Sequence, residues 1–138
     1  MTKSDPTKRS WKQGGCHCGA IAWEAALDDD IVADECNCSI CEKVGFQHVI
    51  TSASRFRLLK GKEQQTTYTF NSGIAQHYFC KQCGVKSYYV PRSNPDGFSL
   101  NLRCMDVSQF NSVDVRPFDG KNWEANAGKL AHLSKDDS

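Results

Sequence analysis

Apolar positions along the chain recur in short alternating runs, and nowhere hold the three-to-four spacing of an amphipathic helix over several turns. The alternation predicts strands at Ala20–Glu24, Ile31–Glu35, Phe46–Thr51, Phe56–Lys60, Thr66–Phe70, Ala75–Phe79, Val85–Val90 and Phe98–Leu102. Gly61, the run Asn71-Ser72-Gly73 and the stretch Pro91–Gly97 punctuate them as turns. Two short helical turns fit between: one from Ser39 through Cys41 to Val44, stopped by Gly45, and one over Val107–Phe110 with Asp106 as its cap. Alternation in the fifth run puts Tyr68 and Phe70 on one face and Thr67 and Thr69 on the other, so the aromatics belong to core or half-buried sheet. The fold class is mainly β, a small sheet domain. Helix bundles and doubly wound folds are excluded.

The length, 138 residues, is that of one domain of common size. Residues 1–13, polar apart from Trp11 and broken by Pro6, read as a partly ordered lead-in; residues 14–133 form the domain, and 134–138 a frayed tail. Hydrophobic residues make up 39% and charged residues 24%, which excludes a disordered polar chain. No apolar run approaches the ~20 residues of a membrane span. The 17 Lys and Arg nearly cancel the 16 Asp and Glu, which argues against nucleic acid held by charge. The N-terminus leads into no apolar export segment, so a cytoplasmic location with reduced thiols is expected.

What changes this picture is eight cysteines, at 16, 18, 36, 38, 41, 80, 83 and 104. A disulfide framework needs an oxidising compartment, and the spacings Cys16-x-Cys18 and Cys36-x-Cys38 put thiols too close for an unstrained mutual bridge. Metal binding tolerates them, because residues i and i+2 of an extended segment project from one face. Cys80-Lys81-Gln82-Cys83-Gly84 is a zinc-knuckle pattern, with Gly84 able to take positive φ where the turn reverses. Cys16, Cys18, Cys80 and Cys83 together make a closed tetrahedral thiolate site; iron is the minor alternative to zinc.

Cys36-Asn37-Cys38-Ser39-Ile40-Cys41 differs in kind, offering three sulfurs in six residues and no neighbouring fourth. Two readings stand side by side. Either the fourth position stays open, as at a catalytic zinc, or Cys104 fills it and the site is a second staple. His48 follows closely enough to border an open position, but a structural or solvated role is its commoner use. His17 lies between two ligands and should point away from the first metal; His77 reads as core or as support to a ligand, and His132 as solvated tail. Seven ionised cysteines and two Zn²⁺ would take the formal +1 to about −2, further from a nucleic-acid-binding surface.

The three motifs in this order, Gly15-Cys16-His17-Cys18-Gly19, Cys36 to Cys41, and Phe79-Cys80-Lys81-Gln82-Cys83-Gly84, resemble the glutathione-dependent formaldehyde-activating enzyme family. The resemblance runs from about Gly14 to Trp123. The stretches Ala53–Gly61, Thr66–Asn71, Ala75–Val85 and Pro91–Gly97 are similar to its centromere protein V-like members. It implies a Mss4-like β domain with two zinc ions, one structural on Cys16, Cys18, Cys80 and Cys83 and one catalytic on Cys36, Cys38 and Cys41. It further implies a carbon–sulfur lyase joining glutathione, the co-substrate, to formaldehyde to give S-(hydroxymethyl)glutathione. Small-molecule thiol and aldehyde are then the partners, with no nucleic acid and no membrane. Lys43, Arg55, Arg92 and Arg103 are candidate cations for the glutathione carboxylates. The alternative is a non-catalytic zinc-stabilised interaction module of the centromere protein V-like kind; a thiol-based metal carrier fits less well, since the cysteines spread over distinct strands. Sequence leaves the physiological thiol and electrophile, the reach of Cys104 and the oligomeric state open.

Overall fold

In Ala22–Asp28 every second side chain is apolar, and Trp23, Ala25 and Leu27 all turn inward. Period-two burial of this kind makes the segment a half-covered strand. The computed structural model describes residues 9–37, 39–70, 73–119, 122, 128 and 133. Ten strands in it form two sheets. The smaller sheet has the order β1 (Arg9–Gly15), β2 (Ala22–Asp28), β5 (Phe56–Lys60), all antiparallel. The larger runs β10 (Ser112–Phe118), β3 (Asp30–Cys36), β4 (Gln47–Ser52), β9 (Gly97–Asn101), β8 (Tyr88–Val90), β7 (Gln76–Cys80), β6 (Gln65–Tyr68). Only the β10–β3 pair is parallel. Among the described residues the one α-helix, α1, is short, Ser39–Val44.

The inner faces of both sheets share one core, in which Trp23 and Ala25 of the small sheet meet Val49, Tyr88 and Leu100 of the large one. Trp23 is fully enclosed, and its Nε1 donates to Ser87 Oγ at 3.1 Å, so the one polar atom of the ring is satisfied. Phe56 stacks at 4.9 Å from Tyr88 and 4.5 Å from Phe98, joining β5 to the large sheet.

Eight strands lie where alternation predicts them, with ends displaced by a few residues; the Val85–Val90 run keeps only Tyr88–Val90 as strand. The helical turn stops at Gly45, where φ is +71°, and Asp106 caps the 3₁₀ turn Val107–Gln109 by accepting from Ser108 N at 2.9 Å. Tyr68 departs from expectation: it is 50% exposed, because β6 closes the edge of the sheet and has a neighbour on one side only. Phe70 is half-buried and stacks on His77. Two strands had no apolar signal strong enough to announce them. β1 takes up part of the polar lead-in and buries Lys12, whose ammonium donates to Asp29 Oδ1 at 2.7 Å. β10 contains Pro117, which an edge strand tolerates.

Candidate functional site

Two groups of ligand-type side chains converge among the described residues. The first is built where the sheets meet. Cys16 and Cys18 sit on the β1–β2 connection, Cys80 ends β7, and Cys83 lies on the turn that follows. Their four sulfurs all lie within 4.8 Å of one another, with Cys16–Cys18 at 3.7 Å and Cys18–Cys80 at 3.6 Å. Tetrahedral Zn–S bonds of ~2.3 Å put sulfurs about 3.8 Å apart, whereas a disulfide would bring them to about 2.05 Å. The spacing therefore fits a metal and no bridge.

Backbone amides tune this cluster. Ile21 N donates to Cys16 Sγ at 3.3 Å and Gln82 N to Cys80 Sγ at 3.4 Å. Gly84, at φ +75°, lets its own N–H turn back to Cys80 O at 2.9 Å, a conformation a side chain would strain. Burial pushes the Cys83 thiol up, yet the backbone N–H groups of Cys18 and Val85 and the thiols of Cys80 and Cys18 outweigh it and draw it down to about 6. For Cys80 the amides of Cys83 and Gln82 prevail and its thiol is also lowered. At Cys18 the amide of Ala20 lowers the thiol, but burial and the other three sulfurs raise it to about 11. The turn after β7 is thus arranged to hold sulfur as anion, as a cation ligand must be.

The second group joins Cys36 at the end of β3, Cys41 in α1 and His48 in β4, again with ligand atoms within 4.8 Å. Cys38 lies outside the described residues. Cys41 and His48 are buried, Cys36 half-buried. The antiparallel register sets Asp34 opposite His48, so Cys36, two residues on, shares the face that His48 projects from. His48 Nδ1 lies 2.9 Å from Ser99 Oγ and 3.2 Å from Tyr89 Oη. Phe46, fully enclosed, packs on the imidazole at 4.5 Å between centroids. Two thiols and an imidazole suit zinc, which accepts both donor types.

Beside this group is a cavity of about 420 Å³ lined by Ile40 and Val44 of α1, by Tyr68, His77 and Phe79, and by Gly84, Val85 and Lys86, with Asn101. One wall is the helix that carries Cys41; another is the chain just past Cys83. Lys86 is 6% exposed. Its ammonium donates to His77 Nδ1 at 2.7 Å and sits 3.9 Å from the centre of the Tyr89 ring and 5.0 Å from that of Phe46. Accepting at Nδ1 leaves His77 neutral with its proton on Nε2. Asn101 fixes the segment: its Nδ2 donates to Lys86 O at 3.1 Å, and its N to Ser87 O at 2.9 Å.

The sequence places four cysteines together and the structure does the same; of the other three, it brings Cys36 and Cys41 together and adds His48. Cys104 stands with the first group. Its thiol is raised to about 11, by burial first and then by the nearby Cys16 and Cys83, and its Sγ lies 3.9 Å from Lys86 O. His17 is exposed, away from both groups; His77 is buried. Lys43, Arg92 and Arg103 are exposed, Arg55 is half-buried, and the cavity wall contains none of the four. Lys86 and His48 carried no motif. His48 had a signal in its closeness to the C-x-C-x-x-C cluster, which the β3–β4 register turns into a meeting; Lys86 had only its place three residues after the knuckle.

Fold and site together define a cysteine-clipped β domain with two candidate metal centres, and with a cavity walled in part by the helix that carries Cys41. The glutathione-dependent formaldehyde-activating enzyme model matches residues 11–118, and the chain belongs to that family. Its fold is the small Mss4-like sheet domain that the motifs imply. A protein of Rhodobacter sphaeroides, known from its crystal structure, is 31% identical, with 75% of this chain and 98% of that one aligned at a TM-score of 0.64. Among the described residues no helix is long and apolar enough to cross a membrane.

Proposed function

We propose that this protein is a zinc-dependent carbon–sulfur lyase acting on glutathione-type thiol adducts, of the S-(hydroxymethyl)glutathione synthase type. Cys16, Cys18, Cys80 and Cys83 hold a structural zinc, and Cys36, Cys38 and Cys41 contribute to a catalytic one. The observation that carries this reading is the cavity wall: the helix bearing Cys41 and a buried ammonium, Lys86, face the same space. When bound, the metal supplies Lewis acidity and keeps a thiol ionised near neutral pH.

The chain's own residues do the rest. Lys86 presents an ammonium to a glutathione carboxylate, a charge-assisted contact strengthened by the low-dielectric wall of Phe46 and Tyr89. His77, neutral through its bond with Lys86, holds its proton on Nε2. Ile40, Val44 and Phe79 line the cavity with apolar surface and keep water from the reacting carbon. In the synthetic direction the sulfur forms a C–S bond as the C=O π bond of formaldehyde breaks, and the thiol proton ends on the hydroxymethyl oxygen. The reverse step releases both partners. The proposed use of reduced glutathione fits a cytoplasmic location.

Thiol addition to formaldehyde also proceeds unaided, so the test is a rate above buffer. Exchange NMR on glutathione and its hydroxymethyl adduct should show faster exchange with the wild-type protein, lost in Cys36→Ser and Cys38→Ser. Buffer-level exchange together with no saturable glutathione binding would leave the non-catalytic, zinc-stabilised interaction module as the correct reading.

A further inference from the structure

We propose that His48 is a metal ligand of the second centre, so that strand β4 adds a nitrogen donor to the cysteine sulfurs of β3 and α1. The assignment concerns the metal: added to Cys36, Cys38 and Cys41, His48 makes a fourth donor, so a catalytic role for this centre would need the ion to accept one ligand more. It begins with placement. Cys36 and His48 are twelve residues apart, yet the β3–β4 register returns His48 to the face from which Cys36 projects. Helix α1 then folds Cys41 back between them, its carbonyl accepting from Gly45 N at 2.9 Å where the helix stops. The outcome is three ligand atoms within 4.8 Å, two of them on buried residues.

Orientation is the second part. The imidazole is held on several sides, which fixes the direction of both ring nitrogens. Phe46 lies 4.5 Å from it and Tyr89 5.6 Å, at interplanar angles of 40° and 66°. Ser99, fully enclosed on β9, meets Nδ1 at 2.9 Å, and Tyr89 Oη meets the same nitrogen at 3.2 Å. Tyr89 is itself fixed, stacked on His77 at 4.8 Å and 12° and covered by the Lys86 ammonium. Histidine ligands commonly donate their other ring N–H to an oxygen, which sets the tautomer and the ring angle. Nδ1 is the nitrogen engaged by the two hydroxyls, so Nδ1–H is assigned as donor to Ser99 and the lone pair on Nε2 to the metal. Ser99 and Tyr89 are then positioning residues.

The two centres consequently differ in donor set. The first is all sulfur; the second mixes sulfur with a neutral nitrogen and so carries less negative charge around its ion. The test uses the full chain, labelled with ¹⁵N-histidine and loaded with ¹¹³Cd. Two cadmium signals are expected, one of them upfield and coupled to the Nε2 of His48, with the Nδ1 proton retained. In His48→Gln that signal should move while the other stays, and chelator competition should show affinity at this centre falling by more than the about 10–100-fold typical of losing an outer hydrogen-bond partner. Ser99→Ala should keep the coupling and lose affinity within that about 10–100-fold range. An uncoupled second signal, or a proton found on Nε2 of loaded wild-type protein, overturns the proposal. The wild-type spectrum decides by itself if His48→Gln does not fold.

Discussion

Tyr88 shows at the scale of one residue how burial becomes a dependence on pH. Its ring packs between Phe56, Tyr78 and Phe98, and its hydroxyl donates to Gln65 Oε1. Burial pushes the phenol up to about 12; the Gln65 contact opposes this and the neighbouring Tyr78 adds to it. A group whose folded pKa is raised contributes stability in full below its unfolded value, about 10 for tyrosine, and loses it as pH climbs toward the folded one. Wild-type protein should therefore lose stability between about pH 10 and 12. In Tyr88→Phe that part of the loss should vanish, at a cost of about 1 kcal/mol at pH 7 for the missing hydrogen bond. Urea midpoints at neutral and alkaline pH measure both. Ser87→Ala belongs beside it: the Trp23 indole would be left buried without its acceptor, for about 1–3 kcal/mol by denaturant titration. Such residues were hard to see in the sequence. Tyr88 and Ser87 occupy an unremarkable β-prone run, and nothing local says that one phenol is deeply covered while Tyr68 on the sheet edge stays half exposed.

At the scale of elements, the short segment from Gly84 to Ser87 matters most, because it links the Cys80–Cys83 turn to strand β8 and puts Lys86 into the cavity wall. Lys86→Met keeps the length and apolar stem but removes the ammonium. If it receives a glutathione carboxylate, the variant should bind glutathione about tenfold or more weakly, in line with about 1.5–3 kcal/mol for a hydrogen bond to a charged group. Tryptophan fluorescence and a thermal melt check that the fold survives, and calorimetry reads the affinity. An unchanged affinity in a folded variant would assign Lys86 to the fold alone. Eight strands, the helix over Cys41 and the Asp106 cap were legible because each is written locally, as a period of two, a glycine stop or a side-chain cap. β1 and β10 were not, since pairing decides them: β1 buries a lysine through Asp29, and β10 joins β3 in parallel with exposed side chains along most of its length. The same holds within the site. The knuckle and the C-x-C spacing announce sulfur, but the meeting of Cys36 with His48 depends on the β3–β4 register, which no local pattern records.

For the whole molecule the two centres have different mechanical positions, and this separates their expected phenotypes. The first closes segments more than sixty residues apart and ties the β1–β2 connection of the small sheet to the end of β7 in the large one. It ties the sheets together beside their shared core, so a metal held there would act on global stability. The second joins β3, α1 and β4, neighbours in sequence within one sheet, and constrains little chain. Cys80→Ser leaves a three-sulfur remnant at the first centre. A third of the about 10–16 kcal/mol that structural zinc supplies in small zinc domains would already lower Tm by more than about 10 °C. Cys36→Ser should shift Tm by less than half as much as Cys80→Ser, yet abolish glutathione-linked exchange. Chelation should follow the same order: the ion beside the cavity leaves first with the melt nearly unchanged, and departure of the second ion coincides with the collapse of Tm. Metal content, thermal melts and exchange rates measured on the same samples test this. Equal losses of Tm from both variants would mean that both centres are staples, and the cavity beside Cys41 would then line a structural joint.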